Sequence, residues 1–564
     1  MPKVIGIGKQ RYDRIIENNL FYIDKTMFIK GWWENQDDVT LITRPRRFGK
    51  TLNMDMLKCF FSNEYKDRGD LFEGLDIWKE EKYREIQGTY PVIFLSFAKI
   101  KQNTCEDAIA GIKRIICDEI QKYIFLEGWD GLADEEKNNL KNITYGMDDV
   151  TAQEAIASLS NYLSRYYGKN VIILLDEYDT PMQEAYVNGY WEELVSFTRS
   201  FFNATFKSNL YLERAVITGI TRVSKESMFS DLNNLKVITV ESDEYSDTFG
   251  FSEEEVFLAL DDFNLSDKKQ IVKEWYDGFT FGSQRDIYNP WSIINFLENK
   301  KIDTYWADTS SNSLINHLIK KSVPEIKELM ELLLKRESIE VTFDDQIVFN
   351  QLDKSKNAIW SLLVASGYLK IDDIEYKGLL LKPWYHISIT NLETVSMFAN
   401  MFAGWFENPD ARYNDFVKSL LKNDLKGMNY YMNKVALATF SYFDTGKNPS
   451  ETLEPERFYH GFVLGLIVEL SDRYEVKSNR ESGFGRYDVM IIPLDKSEKA
   501  IVLEFKVHEN DEEKTLEETV SSALTQIEEK KYDTELINAG VKKENIRHYG
   551  FAFEGKKVLI GTDE

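Results

Sequence analysis

The chain runs to 564 residues, enough for two to four domains. Hydrophobic residues make up 43 %, which excludes a disordered chain, and a formal charge of −25 excludes a uniformly basic nucleic-acid coat. Any contact with nucleic acid therefore needs a local positive groove.

Three cysteines (Cys59, Cys105, Cys117) have no metal-ligand spacing and form no even disulfide set, which points to a reducing, cytoplasmic setting. The start, MPKVIGIGKQRYD, lacks the apolar core of a secretory signal. No stretch approaches the run of about 20 apolar residues that crosses a bilayer, so no membrane partner is expected.

From residue 1 to about 250 the pattern alternates strands and helices, the mark of a parallel α/β sheet. Short apolar runs stand at VTLITR, YPVIFLSF, NVIILLDE, RAVITGI and KVITV, and such runs suit strands buried on both faces. Amphipathic helix patterns such as CEDAIAGIKRIICDEIQKYI and TAQEAIASLSNYLSRYY lie between them. From 251 the texture becomes helical, starting at Ser252 with Glu253 to Glu255 and interrupted by WYDGFTFG and DIYNPWSI. NAIWSLLVASGYLKI reads as a helix turning into a strand, with Gly367 at the break. Residues 391–450 read as a helical connector. The block 451–564 returns to α/β: helix, strand, strand, helix, strand.

The first chemical signature follows VTLITR. In RPRRFGKTL, the residues Gly49, Lys50 and Thr51 match the end of a P-loop, G-x-x-x-x-G-K-[ST], while Arg44 stands where its first glycine belongs. Backbone amides at the start of the next helix would cradle phosphate. Lys50 would reach the β- and γ-phosphates, and Thr51 would ligate Mg2+. Arg44 enters a left-handed turn less freely than glycine, which predicts a reshaped loop. Arg46 and Arg47 add positive charge. Arg44, Arg46, Arg47, Phe48, Gly49, Lys50, Thr51 and Leu52 form the candidate nucleotide-binding loop.

The apolar run NVIILLDEYD ends in Asp176 and Glu177. That is a Walker B pattern: Asp176 in the Mg2+ shell, Glu177 placed to orient or deprotonate the attacking water. The plainer reading is a buried strand ending in a solvated acidic turn. In RAVITGITR, Thr218 or Thr221 is placed to sense the γ-phosphate, and Arg222 either stabilises transition-state charge or makes a surface salt bridge.

The second signature is GFGRYDVMIIPLDKSEKAIVLEFKV. Residues two apart in a strand share a face, so Glu504 and Lys506 point together. The polar turn LDKSEK is short enough to fold the two strands into a hairpin that brings Asp488 beside Glu504. Two carboxylates suit Mg2+, a hard octahedral ion that polarises a phosphodiester and activates water. Lys506 would orient that water or neutralise charge, and Gln526, on the helix ALTQIEEKKY, would support the site. Alone, the pattern D-x(n)-E-x-K is weak, and a strand-face salt bridge explains it as simply. Glu504 at the end of an apolar strand argues otherwise, because buried charge is costly unless used or paired. The five histidines (His317, His386, His460, His508, His548) show no zinc-type spacing.

FYIDKT, RPRRFGKT, LLDEYD, TGITRVSKESMFSDLNN, WYDGFTFG and YNPWSI together resemble the AAA-ATPase-like family, related to archaeal-type and STAND P-loop ATPases. The resemblance implies ATP as ligand, Arg44 as a habit of the family, and a lid and winged-helix-like region after residue 250. It also puts Asp24 and Lys25 on the nucleotide-domain face. FYHGFVLGLI, SNRESGFGRYD, VLEFKV and ALTQIEEKKY resemble the PD-(D/E)XK nuclease superfamily. That resemblance implies Asp488, Glu504 and Lys506 as the catalytic set with Gln526 in support, and Glu481 as a further acid. The usual proline before the first acid is replaced by Tyr487.

The expected fold class is α/β. It comprises a P-loop ATPase domain (1–250), a helical lid with a winged-helix-like part (251–390), a helical connector (391–450) and a restriction-endonuclease-like domain (451–564). The expected function is an ATPase that gates or positions a Mg2+-dependent nuclease acting on DNA or RNA, in a context such as genome defence. The alternative is a regulatory or remodelling ATPase whose tail only binds. Homo-oligomerisation stays open, since P-loop ATPases often complete a site with a neighbour's arginine.

Overall fold

The computed structural model describes residues 3–222, 229, 232–307, 315, 318–319, 324–334, 336–343, 358–406, 414–439, 463, 467, 470, 473–482, 485–508, 514–554 and 557–563. The chain divides into two compact units: a head of 1–318 with 338–395, and a tail of 319–337 with 396–564.

The head is built on β1 (Val39–Thr43), β2 (Val92–Ser96), β3 (Val171–Asp176), β4 (Leu212–Gly219) and β5 (Leu235–Ile238). These are the five apolar runs read from the sequence. They form a wholly parallel sheet in the order β2-β3-β4-β1-β5. β1 and β3 are buried along their whole length, which is why they carry no polar alternation. β4 lies between β1 and β3, with Thr43 level with Gly219 and Leu175 level with Ile217. The carboxyl ends of all three strands therefore meet at one edge. In open parallel sheets this edge forms the ligand crevice.

After the sheet, the interruptions WYDGFTFG and DIYNPWSI form strands. β6 (Phe251–Ser252), β7 (Phe279–Phe281) and β8 (Gln284–Tyr288) make a small sheet in the order β6-β8-β7. Its strands are short and flanked by the helices Glu253–Asp262 and Pro290–Asn299. Ser252 and Glu255 form a capping box at the first of these helices. β9 (Ile339–Val341), β10 (Leu369–Lys377) and β11 (Lys382–Ile389) form an antiparallel sheet in the order β10-β11-β9, fed by the helix Ala358–Ala365. The helix ends just before Gly367, as its sequence suggests.

The tail has five strands: β12 (Tyr474–Ser482), β13 (Gly485–Pro493), β14 (Ala500–Val507), β15 (Ile546–Glu554) and β16 (Lys557–Thr562), paired in that order. β14 and β15 are parallel, and the other pairs are antiparallel. The sheet is larger than the three strands read from the sequence. β12 escaped because its charged run, YEVKSNRES, lacks a clear apolar alternation.

Leu503 and Phe505 face one core, with Phe416, Met428 and Phe551. Val502 and Met490 face the other, with Ile527 and Leu536. The helices Asn414–Lys422 and Leu425–Thr439, read from the sequence as a connector, contribute to the first core. Asn429 and Asn433, one helical turn apart, exchange amide bonds with the backbone of Ile560 and Val558. They satisfy the open edge of β16, which would otherwise invite another strand.

Candidate active sites

The head's pocket lies at the carboxyl edge of its sheet and encloses about 400 Å³, within the range of small-molecule sites. The loop Arg46–Asn53 forms its floor, and Glu177, Thr180, Gln183 and Ile220 form one wall. Apolar side chains from Ile5, Phe21, Ile23, Phe251, Trp291 and Ile294 line the rest. Lys9, Arg46, Arg47, Lys50 and Lys101 face it, against Glu177 and Glu184. In a chain of charge −25, this excess of cations marks a local anion site.

The loop after β1 turns at positions that the sequence did not single out. Arg47 (φ +66°) and Gly49 (φ +79°) adopt the left-handed conformation, and Arg44 does not. Arg44 also turns away from the pocket. Its buried guanidinium donates to the carbonyls of Thr43 (2.9 Å) and Thr239 (2.7 Å). It also reaches the carbonyls of Glu244 and Tyr245 and lies 4.6 Å from the ring of Phe281. Burial pushes it down to about 9, still above neutral. Arg44, expected in the nucleotide-binding set, is not among the residues that line the pocket, and its side chain braces the loop from behind.

Lys50 is buried, and its ammonium donates to the carbonyls of Arg44 (2.8 Å) and Pro45 (2.7 Å). Burial pushes it down, opposed by Glu177, Asp179 and Asp176. Asp176 is fully buried at the end of β3, accepting from Thr218 (2.6 Å) and Thr51 (2.8 Å). Burial raises its carboxyl, and the two hydroxyls lower it. The fold thus brings Thr51, Asp176 and Thr218 into one chain of bonds across three elements. Glu177 lines the pocket in a left-handed conformation (φ +52°), a costly backbone state, and accepts from Thr180 at 3.1 Å.

Phe48 is buried and packs on Phe279 and Phe281 of β7. Leu52 lines the pocket. Thr221 and Arg222 are not among its lining residues. The Thr221 hydroxyl donates to Asp179 at 2.9 Å, and Arg222 lines a separate small depression with Thr239 and Glu241. Asp24 closes a turn at Thr26 and accepts from the Asp76 amide, and Lys25 pairs with Glu255 at 2.7 Å. Sequence reasoning missed Asp179, Gln183 and Trp291. All three stand inside motifs it quoted or a few residues beyond, where only tertiary contacts single them out.

In the tail, Val489 is level with Leu503, so Asp488 and Glu504, the next pair outward, stand opposite each other. Directly opposed residues of an antiparallel pair share a face. Asp488 accepts from the Phe505 amide at 2.7 Å, which pins the two strands at this point. Glu504 is buried and accepts from the side-chain amide of Gln526. Lys506, on the same face, donates to Ser522 at 2.9 Å. Ser522 and Gln526 are one turn apart on the helix Leu516–Lys530, so one helix face serves both strand residues.

That helix lies close because β15 has Gly550 level with Glu504. A Cβ there would stand 2.8 Å from the Val520 carbonyl. The Tyr532 phenol accepts from Gln526 at 3.4 Å; burial, and less strongly the nearby Glu504 and Asp488, push it up to about 12 against the pull of that bond. Two hard carboxylates on one face, with an amide and an ammonium beside them, fit a magnesium-type cation. Ser522 and Tyr532 were missed; Ser522 could have been found from its spacing to Gln526. The side chains of Glu481, Arg486 and Tyr487, and most of FYHGFVLGLI with His460, lie outside the described residues, as does His317.

Two further acidic groups occur among the described residues, Glu340–Glu375–His386 and Glu253–Asp277–Asp286. Each already holds a lysine, Lys377 in the first and Lys273 in the second.

Comparison with known proteins bears on the two domains that carry these residues. The family model "Predicted AAA-ATPase" matches residues 6–229, and that of the PD-(D/E)XK nuclease superfamily matches 454–563. A curated relative, "Uncharacterized protein in vnfD 5'region" of Azotobacter chroococcum mcd 1, is 25 % identical over 504 residues, covering 87 % of each chain. The chain is thus a fusion of an AAA-ATPase-like domain at its N-terminus and a PD-(D/E)XK nuclease-superfamily domain at its C-terminus.

Proposed function

We propose that the head hydrolyses ATP and that the tail uses Mg2+ to cleave phosphodiester bonds of DNA or RNA, with the nucleotide state gating the cutter. The observation that carries this reading is the opposition of Asp488 and Glu504, with Lys506 and Gln526 on the same face. Asp488 and Glu504 would hold the cation. When bound, it supplies polarisation of the scissile phosphate and acidification of water. Gln526 fixes the orientation of Glu504. Lys506, released from Ser522, offsets the negative charge that grows on the phosphate. In the head, Lys50 and the amides from Gly49 onward take the phosphates, Thr51 and Asp176 take the cation, and Glu177 takes the proton of the attacking water. A role in genome defence is the setting we propose for such a coupled cutter.

The test is a panel of DNA and RNA substrates with Mg2+, with and without ATP, on the wild type, Lys50→Ala and Glu504→Gln. Loss of cutting in both variants supports coupling. Cutting that needs Glu504 and ignores Lys50 makes the ATPase regulatory at most. An intact ATPase with no cutting of any substrate favours a tail that only binds.

A further inference from the structure

The carboxylate of Asp179 closes LLDEYD and is almost wholly buried. Although it sits at the N-cap of the helix Thr180–Asn188, it caps nothing there. Its Oδ2 instead accepts from the amides of Ile220 (3.0 Å) and Thr221 (2.9 Å), and from the Thr221 hydroxyl (2.9 Å). The same oxygen accepts from Nε2 of Gln183, one helical turn on, at 3.2 Å. A guanidinium only donates, so the Gln183 amide turns its oxygen to Arg46 and its NH2 to Asp179. That oxygen accepts from Nη2 of Arg46 at 3.3 Å. Arg46 lines the phosphate pocket and makes no ion pair among the described residues. A guanidinium that faces a phosphate site and whose side-chain hydrogen-bond partner among the described residues is a neutral amide keeps its charge available to the ligand.

We propose that Asp179 and Gln183 are positioning residues that aim Arg46 at the transferring phosphate and tie it to the Ile220–Thr221 segment at the end of β4. This rests on the ATPase reading above. It assigns to Arg46 the charge-stabilising part that Arg222, facing a different depression, is not placed to play. It also makes the arginine part of the same chain as the P-loop.

The test is steady-state ATP hydrolysis by the full-length chain carrying Gln183→Met, Arg46→Ala, or both, with binding of a fluorescent ATP analogue measured in parallel. Methionine keeps the length and helix preference of Gln183 and removes both hydrogen bonds. Misaiming a charge by about 1 Å costs on the order of a hundredfold. We expect kcat to fall between about tenfold and a hundredfold in Gln183→Met, with KM and analogue binding changed less than about threefold. The double variant should be no slower than Arg46→Ala, because the glutamine acts only through the arginine. Unchanged kcat in Gln183→Met, or losses that multiply in the double variant, overturns the relay while leaving the ATPase reading intact. A wild type that binds and hydrolyses no ATP overturns both.

Discussion

Replacing Arg44 by glycine would restore the residue that a P-loop pattern expects, and the structure predicts that it harms the protein. The two shorter carbonyl bonds, to Thr43 and Thr239, are donated by a charged group, worth about 1.5 kcal/mol each. The stacking over Phe281 adds about 1 kcal/mol. Glycine at this position also frees the backbone, at about 0.5 kcal/mol or more. Together these come to about 4.5 kcal/mol. With an unfolding entropy of about 2.1 cal/mol/K per residue over the roughly 380 residues of the head, this lowers the melting temperature by about 6 °C. The assay is thermal denaturation of Arg44→Gly beside wild type, with a fluorescent ATP analogue to follow binding. Because Lys50 is held by the Arg44 and Pro45 carbonyls, binding should weaken as the loop loosens. A variant as stable as wild type, or one that binds ATP more tightly, would refute the claim that this side chain braces the loop.

Gly278 has φ +111°, and a Cβ there would lie 2.1 Å from the Thr390 carbonyl, so Gly278→Ala should destabilise the head by about 3 kcal/mol, read by denaturant titration. His548 lies between Asp533 (2.7 Å) and Asp563 (2.6 Å). Burial pushes its imidazole down, and the two carboxylates outweigh this and hold it above its usual range. Its folded pKa exceeds its unfolded one, so its stabilisation is full below about pH 6.5 and is lost as pH rises through the folded value. Tail stability should therefore decline across that window, and His548→Gln should flatten the profile. Glu504→Gln should cut Mg2+-dependent cleavage by about 10³-fold without lowering the melting temperature, since the amide relieves a buried charge; a cleaving variant would remove the tail's proposed site. With Arg46 supplied by the same chain, ATPase activity per mole should stay constant as protein is diluted, and a steep fall would point to a second copy completing the site.

Much of this was legible in the sequence because it is local. Apolar runs of four to six residues locate β1 to β5, the Gly49–Lys50–Thr51 turn must open a helix, and the two-residue period puts Glu504 and Lys506 on one face. These follow from backbone geometry within one element. The opposition of Asp488 and Glu504 needed only a hairpin, and its register was within reach of the sequence.

Tertiary structure decided what depends on partners far along the chain. Arg44 looks like any other arginine of its loop until carbonyls some 200 residues away claim it. Thr221 faces Asp179 rather than the pocket because β4 lies between β1 and β3, an order that no local pattern encodes. Side-chain direction at a strand end is set by which neighbour offers a donor or an acceptor. That is a property of the assembled sheet, and the chain's own periodicity does not contain it.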